Sequence, residues 1–446
     1  MINRRKFLTT ATAAGLGAPL LAGQSAPARS ANDKIQIALI GCGGMGQGDA
    51  HTSTQTGLTK LVAASDCYDG RMEHMREAYG KDIFTARDYR EILDRKDVDA
   101  VIIGTPDHWH RRISIDAMNA KKDVYCEKPM VQHVDDGLPV IEAYQKSGRI
   151  MQVGSQRVSS VVYKKAQDVF RSGALGKLNM VEAWWDRDSA TGAWQYAIPP
   201  DAGTDTCDWT QFQGRAPKTE WDAKRFFRWR CYRDYGTGVA GDLFVHLFSG
   251  LHFITGAMGP TRVFATGGLH YWKDGRDVPD LFYGLYDYPQ TASHPAFNLV
   301  LRVNFESGAK ESQGFRFIGS DAIMTVDPNV TVTRAPKETQ PGYTINTFDT
   351  AEQAKFLKAY HAKYPEVKPS PASMKNSQVE TYDPPRGYSD HHDHHVNFAM
   401  AVRSRKPVVE DPTFGFRAAG PAVLSNISYF ENRIVEWDPI AMKVRS

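Results

Sequence analysis

The chain has 446 residues, of which 41% are hydrophobic, and 54 basic and 51 acidic side chains give it a formal net charge of +3. This length is enough for two domains of ordinary size, and a balanced charge without a basic cluster argues against a nucleic-acid partner. No segment beyond the N-terminus is apolar enough to predict a membrane span.

The N-terminus has the pattern of an export signal. Arg4 and Arg5 precede a short apolar run at residues 8–22, which is followed by small residues. This pattern is typical of a twin-arginine signal peptide, which we assign to residues 1–31. The run is too short for a membrane helix, which needs about 20 residues. We therefore predict a periplasmic or otherwise exported protein; the alternative is a tail with a chance arginine pair.

A glycine-rich turn follows the first predicted strand, at residues 34–40. The turn contains Gly41, Gly43, Gly44, Met45 and Gly46, and a helix can begin at Met45. Glycines at this spacing allow a tight turn, close approach of a pyrophosphate and close packing of the helix, whose N-terminus attracts phosphate. A second strand, at residues 61–65, ends at Asp66, where an acid accepts hydrogen bonds from the adenosine ribose. We therefore predict NAD, in preference to NADP, although Arg71 lies nearby.

Strands and helices alternate through the next 80 or so residues. Helices are predicted over residues 71–79, 89–93, 112–119 and 134–147, and strands over 99–104, 123–126 and 150–153. This alternation predicts an α/β fold, with a doubly wound parallel Rossmann sheet over residues 34–155. Ligands of such sheets bind at the carboxyl ends of the strands. We therefore predict cofactor contacts from the residues that follow two of these ends, which are Thr105, Pro106, His108, His110, Glu127, Lys128 and Pro129.

The order of these motifs resembles the Gfo/Idh/MocA family, which includes glucose–fructose oxidoreductase and inositol dehydrogenase. The resemblance covers essentially the whole mature chain, and its most specific parts are the triplet at residues 127–129 and the segment at residues 241–246. It implies that Lys128 contacts cofactor and substrate, and that Asp242 and His246 supply the acid–base group. The chain departs from the commoner family pattern at Ser249, where many members carry an aspartate.

The chemistry of hydride removal from a carbinol explains these residue types. The hydroxyl proton must leave with the hydride, and an imidazole such as that of His246 accepts protons near neutral pH. On a helix, Asp242 lies on the same face as His246 and is able to orient it. Lys128 would oppose negative charge on the substrate oxygen. The structural alternatives are a helix cap for Asp242 and a core position for His246.

Residues 156–446 are predicted to form a substrate-binding and oligomerisation domain. Strand-like runs at residues 262–266, 297–305, 310–318 and 322–326, with a helix at 163–171, indicate an α+β domain with a large, mostly antiparallel open sheet. We expect the exposed face of that sheet to form a homo-oligomer contact. Residues 337–387 are predicted to be a surface insertion with one helix, at 351–363.

Aromatic residues are concentrated in one stretch of this second half. Six of the nine tryptophans lie in it: Trp184, Trp185, Trp194, Trp209, Trp221 and Trp229. Aromatic faces mixed with charged side chains suit a sugar, which has apolar C–H faces and many hydroxyls. We therefore predict a small carbohydrate substrate, with contacts from Trp184, Trp185, Arg187, Trp229 and Arg233. The alternative is that these aromatics hold loops in place or close a subunit interface.

Cysteine and histidine clusters complete the candidate sites. Of five cysteines, Cys207 and Cys231 share a loop-rich stretch and would be the pair to form a disulfide in an oxidising compartment. The histidine-rich run from His391 to His395 resembles a metal site in composition, but it opens an amphipathic helix. We therefore predict a helix start there and no metal.

Together these patterns favour an NAD-dependent oxidoreductase that removes hydride from a sugar ring carbon, at C3. An exported enzyme has no external cofactor supply, so the cofactor is expected to stay bound and to be regenerated in place. The resemblance also allows redox-neutral glycoside cleavage, which occurs in the family. The alternatives are a sugar oxidoreductase that passes hydride to a second sugar, and a non-catalytic sugar-binding protein that retains its nucleotide.

Overall fold

The structure, a computed structural model, describes residues 34–334, 343–365 and 379–445. The predicted signal peptide lies outside the described residues, as do two parts of the predicted insertion, at 337–342 and 366–378. Within the described ranges, no helix combines the length and the apolar character needed to cross a bilayer.

The first half of the described chain forms a parallel six-stranded sheet. Its strands lie in the order β3-β2-β1-β4-β5-β6, and they are β1 Ile35–Ile40, β2 Thr59–Ser65, β3 Phe84–Ala86, β4 Ala100–Ile103, β5 Asp123–Glu127 and β6 Met151–Gly154. The connecting helices are α1 Gly44–Gln55, α2 Asp69–Tyr79, α3 Tyr89–Leu93, α4 Asp107–Asn119 and α5 Gly137–Ser147. The predicted doubly wound Rossmann fold is confirmed. The strand order reverses between β1 and β4, which opens a crevice at their carboxyl ends.

The sequence of the central strands explains why they lie in the middle of this sheet. β4 is a continuous apolar run whose four residues are all buried, and β1 is buried at five of six positions. Parallel strands covered by helices on both faces need such uninterrupted apolar runs. Helix α4 begins at Asp107, five residues before its predicted start, because Pro106 occupies the N-cap and fits a helix start.

The second half forms a ten-stranded sheet in the order β14-β13-β12-β11-β7-β10-β9-β8-β15-β16. The strands are β7 Leu178–Asp186, β8 Arg262–Gly268, β9 Leu281–Tyr288, β10 Phe297–Asn304, β11 Ser312–Gly319, β12 Ala322–Val326, β13 Val330–Arg334, β14 Val379–Tyr382, β15 Val435–Asp438 and β16 Lys443–Val444. β7 and β10 pair in parallel, and the other neighbours are antiparallel. The predicted mostly antiparallel sheet is confirmed.

Burial alternates along the inner strands of this sheet, so that one face is covered and the other is exposed. The helices that pack on the covered face are α6 Val161–Arg171, α9 Val245–Thr255 and α12 Pro412–Phe430. The other described helices are α7 Trp209–Gln213, α8 Ala223–Phe227, α10 Thr350–Lys363 and α11 Asp390–Ser404. Helix α11 packs against α1, so this late segment of the chain lies against the half that contains the parallel sheet.

The cysteines do not form the predicted disulfide. All five thiols are free, and the prediction that Cys207 and Cys231 pair is wrong. The backbone of Cys207 instead forms an isolated bridge with Tyr68 in the parallel-sheet half.

The histidine-rich run opens helix α11, as predicted. Ser389 is its N-cap and accepts the His392 backbone N–H. His394 and His395 are buried; His394 Nε2 lies 3.0 Å from the Val153 carbonyl oxygen and His395 Nε2 lies 3.3 Å from Asp49 Oδ1. No cluster of three or more potential metal ligands occurs in the described part of the chain. These two imidazoles attach α11 to the parallel sheet.

The two buried imidazoles predict a pH-dependent stability. Burial lowers the pKa of both His394 and His395 to about 3, whereas an unfolded histidine titrates near about 6.5. As the pH falls below about 6.5, the unfolded chain binds protons that the folded chain excludes, so the free energy of unfolding decreases down to about pH 3. Each residue contributes a slope of about 1.4 kcal/mol per pH unit.

Replacing His395 with glutamine is therefore expected to flatten this acid destabilisation by about 1.4 kcal/mol per pH unit between roughly pH 6 and pH 4. Denaturant unfolding curves at several pH values measure the slope. The control is His74→Gln, because the side chain of His74 is 56% exposed. Equal slopes for wild type and the His395 variant would contradict the interpretation.

Candidate active site

The glycine-rich turn between β1 and α1 is shaped by close backbone contacts. Gly41 has φ +91°, and a Cβ there would lie 2.6 Å from the Gly104 carbonyl carbon. A Cβ at Gly46 would lie 2.1 Å from the Gly41 oxygen. Around Gly44, by contrast, no described atom lies within 4 Å of a Cβ position. The turn is therefore closed toward the sheet and open toward the crevice, which suits the approach of a pyrophosphate.

The start of α1 completes this binding site. Its N-cap is Gly43, which offers no side-chain oxygen to the free N–H groups, and its first turn contains no acidic residue. Free N–H groups and the positive end of the helix dipole favour a phosphate there. The crevice wall includes seven residues that the sequence predicted: Gly41, Gly43, Gly44, Met45, Asp66, Thr105 and Pro106. These residues fit an NAD molecule, and Gly46 contributes by close helix packing.

Asp66 has a second role besides lining the crevice. Its carboxylate accepts the Cys42 backbone N–H at 2.7 Å and the Tyr68 backbone N–H at 2.9 Å. Arg71 forms an ion pair with it at 3.5 Å. Asp66 therefore fixes the glycine-rich turn relative to the end of β2 as well as facing the adenosine end of the crevice.

Three of the predicted cofactor residues lie behind the crevice wall. His110 Nδ1 lies 2.7 Å from the Pro129 oxygen, and its Nε2 lies 2.9 Å from the Thr105 oxygen. His108 Nε2 lies 2.8 Å from the Phe212 oxygen. These histidines are buried. His110 joins the segments that follow β4 and β5 through Thr105 and Pro129, whereas His108 bonds to the Phe212 and Tyr235 oxygens of a later loop segment.

A second cavity of about 620 Å³ adjoins the nucleotide crevice, and we call it the Lys128 cleft. Gly44 and Met45 line both cavities. Lys128 Nζ donates to Asp242 Oδ1 at 2.7 Å and to the Asp242 backbone oxygen at 2.9 Å. Arg230 Nε donates to the same Asp242 Oδ1 at 3.2 Å. The strand-end lysine and the predicted acid are therefore joined across a sequence separation of 114 residues.

Asp242 lies in a π-helical turn, Ala240–Phe244, which runs directly into α9. The sequence predicted an ordinary α-helical spacing between Asp242 and His246. A Cβ at Gly241 would lie 1.9 Å from Thr237 Oγ1, so a glycine is needed beside the aspartate. Thr237 in turn donates to Asp107 Oδ2 at the start of α4. The π turn, a feature frequent at functional sites, is thus attached directly to the parallel-sheet half.

The charges around Asp242 keep it ionised. Burial alone would raise the pKa of this carboxyl, but Lys128, Arg230 and Arg187 together hold it well below its usual range. The side chains of Lys128 and Asp242 are only 9% and 10% exposed. The carboxylate thus fixes the lysine ammonium group at one position in the cleft.

His246 lines the same cleft and is held neutral. Burial lowers its pKa well below 6.5, and the positive charges of Lys128 and Arg157 lower it further. Its ring centroid lies 5.2 Å from that of Trp185. Nδ1 of His246 is buried without a hydrogen-bond partner among the described residues. A neutral imidazole with a free ring nitrogen is able to accept a proton from a hydroxyl.

Glu127, the residue before Lys128, also lines the cleft. Burial raises the pKa of Glu127 well above its usual value, and the neighbouring Asp49 raises it further. Gln156 Nε2 donates to Glu127 Oε1 at 2.7 Å. The carboxyl group is therefore a buried, hydrogen-bonded part of the cleft wall.

Comparison with known proteins agrees with this geometry in the first half. Residues 35–155 match the Gfo/Idh/MocA family model, described as an oxidoreductase family with an NAD-binding Rossmann fold. This segment is a Gfo/Idh/MocA NAD-binding domain. Inositol 2-dehydrogenase of Salmonella typhimurium is 31% identical over 150 residues, which are 33% of this chain and 44% of the relative. Inositol 2-dehydrogenase of Rubrobacter xylanophilus is 28% identical over 158 residues. The chain thus spans less than half the length of these curated relatives.

Solved structures resemble both halves of the fold. Levoglucosan dehydrogenase in complex with NADH and levoglucosan is 17% identical, with a TM-score of 0.62 over 91% of this chain and 99% of that chain. Aldose–aldose oxidoreductase from Caulobacter crescentus is 16% identical, with a TM-score of 0.63 over 91% of this chain and 100% of that chain. At these identities the similarity establishes the fold that follows the Gfo/Idh/MocA domain.

The predicted substrate residues separate into two groups. Trp185 and Arg187 line the Lys128 cleft. The structure places the other three elsewhere. Trp184 lies on the opposite face of β7, where Arg302 is 5.7 Å from its ring. Trp229 lines the nucleotide crevice, and Arg233 packs 3.5 Å from the Phe430 ring in a different cavity.

Several further residues of the cleft are not among the predicted contacts: Arg157, Tyr196, Phe227, Arg230 and His391. Tyr196 and Phe227 belong to the aromatic stretch and His391 to the histidine-rich run, both of which the sequence singled out. Arg157 also had a usable signal, because it follows the carboxyl end of β6, the last strand of the Gfo/Idh/MocA domain. Ser249, the departure from the family pattern, lies outside the cleft wall and donates to the Val245 oxygen at 2.8 Å.

An aromatic strap, residues 201–235, covers the nucleotide crevice of the Gfo/Idh/MocA domain. Asp208 N–H donates to the Cys67 oxygen at 2.7 Å, and Asp69 N–H donates to the Thr206 oxygen at 3.0 Å. Phe212, Phe226, Phe227 and Trp229 of the strap line the crevice. Most of the aromatic stretch therefore holds a loop against the nucleotide site, which was the alternative interpretation, while Trp185 from its first part and Phe227 from the strap line the Lys128 cleft.

Phe227 tests the role of the strap because it lines both cavities. Its ring lies 5.3 Å from that of Tyr68 and 5.4 Å from the Arg71 guanidinium carbon. Replacing Phe227 with alanine is expected to speed nucleotide release about tenfold, a loss of about 1.4 kcal/mol. Fluorescence during dilution of the NADH-loaded protein measures release. Phe356→Ala, at a 44% exposed ring on α10, is the control; equal release rates in both variants would contradict the prediction.

Proposed function

We propose that the protein is an NAD-dependent oxidoreductase that removes hydride from a ring carbinol of a sugar. The observation that supports this proposal is the meeting of Lys128, Asp242 and His246 in one cleft that adjoins the glycine-rich turn. The names of the related inositol dehydrogenases and of the structurally similar levoglucosan dehydrogenase agree with a polyhydroxylated substrate.

Each of the three residues has a distinct role in this proposal. Asp242 holds the Lys128 ammonium group, which donates to the substrate oxygen and opposes its negative charge. The neutral imidazole of His246 accepts the hydroxyl proton as the carbinol C–H bond breaks and the C=O bond forms. Bound NAD would supply the acceptor for the hydride, held by the glycine-rich turn, the start of α1 and Asp66.

The absorbance of the purified protein at about 340 nm, the band of reduced nicotinamide, tests this proposal. Addition of a sugar or polyol substrate is expected to raise it, in one equivalent per bound cofactor. A protein that binds NAD and sugars without any such change would contradict the oxidoreductase function and support the sugar-binding alternative.

The finer proposal is oxidation at C3 followed by redox-neutral glycoside cleavage. A C3 ketone acidifies the C2 hydrogen, so the anomeric group can leave, water can add, and the retained cofactor can reduce the ketone again. The strap supports it because it favours a cofactor that stays bound between steps. An aryl glycoside separates the outcomes in a mass spectrum: cleavage releases the phenol, whereas transfer to a second sugar leaves only keto-sugar and alditol.

We also propose export through the twin-arginine pathway, based on the N-terminal sequence. Cell fractionation of the wild type and of an Arg4→Lys, Arg5→Lys variant tests it. Retention of both forms in the cytoplasm would contradict export.

We propose further that the exposed face of the ten-stranded sheet joins copies of this chain. Phe264, Tyr283 and Leu285 on this face are 39%, 38% and 49% exposed, and apolar patches of this kind mark interaction sites. Sedimentation analysis of the wild type and of Leu285→Asp tests the proposal. A monomeric wild type would contradict it.

A further inference from the structure

The Lys128 cleft has more basic than acidic groups in its wall. Five basic side chains line it, which are Arg71, Lys128, Arg157, Arg187 and Arg230, against the carboxyl groups of Glu127 and Asp242. Burial and Asp49 raise the pKa of Glu127, and Lys128 opposes this shift. The Asp242 carboxylate is shared by Lys128 and Arg230. The remaining positive charge faces the cavity.

Two of these arginines are separate from the nucleotide site. Arg71 and Arg230 line the nucleotide crevice as well as the cleft, and they pair with Asp66 and Asp242, respectively. Arg157 and Arg187 line only the cleft, beyond Trp185. Their guanidinium carbons lie 4.8 Å and 5.8 Å from the Trp185 ring centroid. They are therefore available to a substrate and not to the cofactor.

The acidic neighbours of these two arginines stand outside the cleft wall. Glu311 lies 3.6 Å from Arg187 Nε and is 54% exposed, which makes this a weak surface pair. Burial raises the pKa of Asp327, Arg157 lowers it and Asp390 raises it. Within the described ranges, however, Arg157 forms no ion pair with either carboxylate. Guanidinium groups bind carboxylate, sulfate and phosphate through paired N–H donors. A guanidinium group carries five N–H donors. Arg187 Nη1 donates one of them to the Gly192 oxygen at 2.9 Å, so donors for a ligand remain on both arginines that line the cavity.

We propose that the sugar substrate carries an anionic group, which Arg157 and Arg187 bind while its ring carbinol lies at Lys128 and His246. This inference rests on the proposed oxidoreductase function and names its substrate class. The Trp185 ring contacts both His246 and Arg157, so a single monosaccharide is able to reach from the arginines to the base. An anion there also offsets the positive charge of Arg157, which contributes to the low basicity of His246.

Matched neutral and acidic sugars test the proposal on the NAD-loaded full-length protein. The pairs are glucose with glucuronate and galactose with galacturonate, and glucose 6-phosphate and glucose 6-sulfate distinguish the kinds of anion. We expect kcat/KM for at least one acidic sugar to exceed that of its neutral partner at least tenfold. Arg157→Gln and Arg187→Gln should each lower that value about tenfold or more, and lower the value for the matched neutral sugar by a clearly smaller factor. Arg171→Gln, at an exposed position on α6, is the control.

A binding measurement separates this proposal from the function on which it rests. Titration of the intrinsic tryptophan fluorescence with the same acidic sugars is expected to show binding that Arg157→Gln weakens at least tenfold. Such binding without reduction of the cofactor would contradict the oxidoreductase function and keep the anionic site. Three results would overturn the anionic site. They are an equal kcat/KM for acidic and neutral sugars, equal effects of the arginine variants on both kinds of sugar, and no binding of any acidic sugar.

Discussion

Replacing Lys128 with methionine is expected to lower kcat/KM for sugar oxidation about 10³-fold, with the bound nucleotide retained. Methionine keeps the length of the side chain and removes the ammonium group that Asp242 holds at 2.7 Å. The substrate oxygen then loses the donor that opposes its negative charge. Stopped-flow absorbance of the reduced cofactor measures the hydride step directly.

The matched control for this variant is Lys164→Met. Lys164 is 54% exposed, pairs with Asp168 on the surface of α6 and does not line the cleft. Its replacement is expected to leave turnover within about twofold, because surface ion pairs contribute little. Turnover that is equal in the Lys128 variant and in the wild type would exclude the proposed role and favour a sugar-binding protein.

Replacing Asp242 with asparagine is expected to lower the free energy of unfolding by about 3 kcal/mol. Two cations, Lys128 and Arg230, converge on this carboxylate, and the variant leaves both with a neutral partner in a largely buried site. The low pKa of Asp242 means that the stabilisation is present at neutral pH and is lost only in strong acid. Denaturant unfolding at neutral pH measures the loss.

Asp168→Asn is the control for stability, because its carboxylate is 55% exposed in the pair with Lys164. We expect it to change the free energy of unfolding by less than about 0.5 kcal/mol. An Asp242 variant as stable as this control would show that the buried ion pair is not a source of stability. The kcat of the Asp242→Asn variant should also fall, because Lys128 is no longer held at one position.

The nucleotide half could be predicted because its signals are local. Apolar runs such as β4, the glycine-rich turn and an acid after β2 each occupy a few consecutive residues, and each leads directly to a strand, a turn or a crevice wall. His108 and His110 show the limit of such reasoning. They stand at a strand end, as cofactor ligands do, but their ring nitrogens bond to backbone oxygens that only the folded chain brings near.

The second half was harder to predict because its contacts are distant in sequence. Asp242 and His246 are spaced as on an α-helix, and the π turn that changes their relation depends on Thr237 and Asp107 from another part of the chain. Arg157 meets Trp185 and His246 only after three separate segments converge. Strand β9 was missed although its burial alternates, because Gly284 interrupts the apolar pattern.

The aromatic strap has a consequence for how the nucleotide enters. Its backbone pairs with residues 67–69 at the rim of the crevice, and Tyr68 donates to Asp201 at 2.6 Å. Entry of a dinucleotide past the strap would therefore be easiest before these bonds form or while they are broken. Occupancy in the mature protein would then record the nucleotide pool present during synthesis, and later exchange would proceed at the rate of local unfolding.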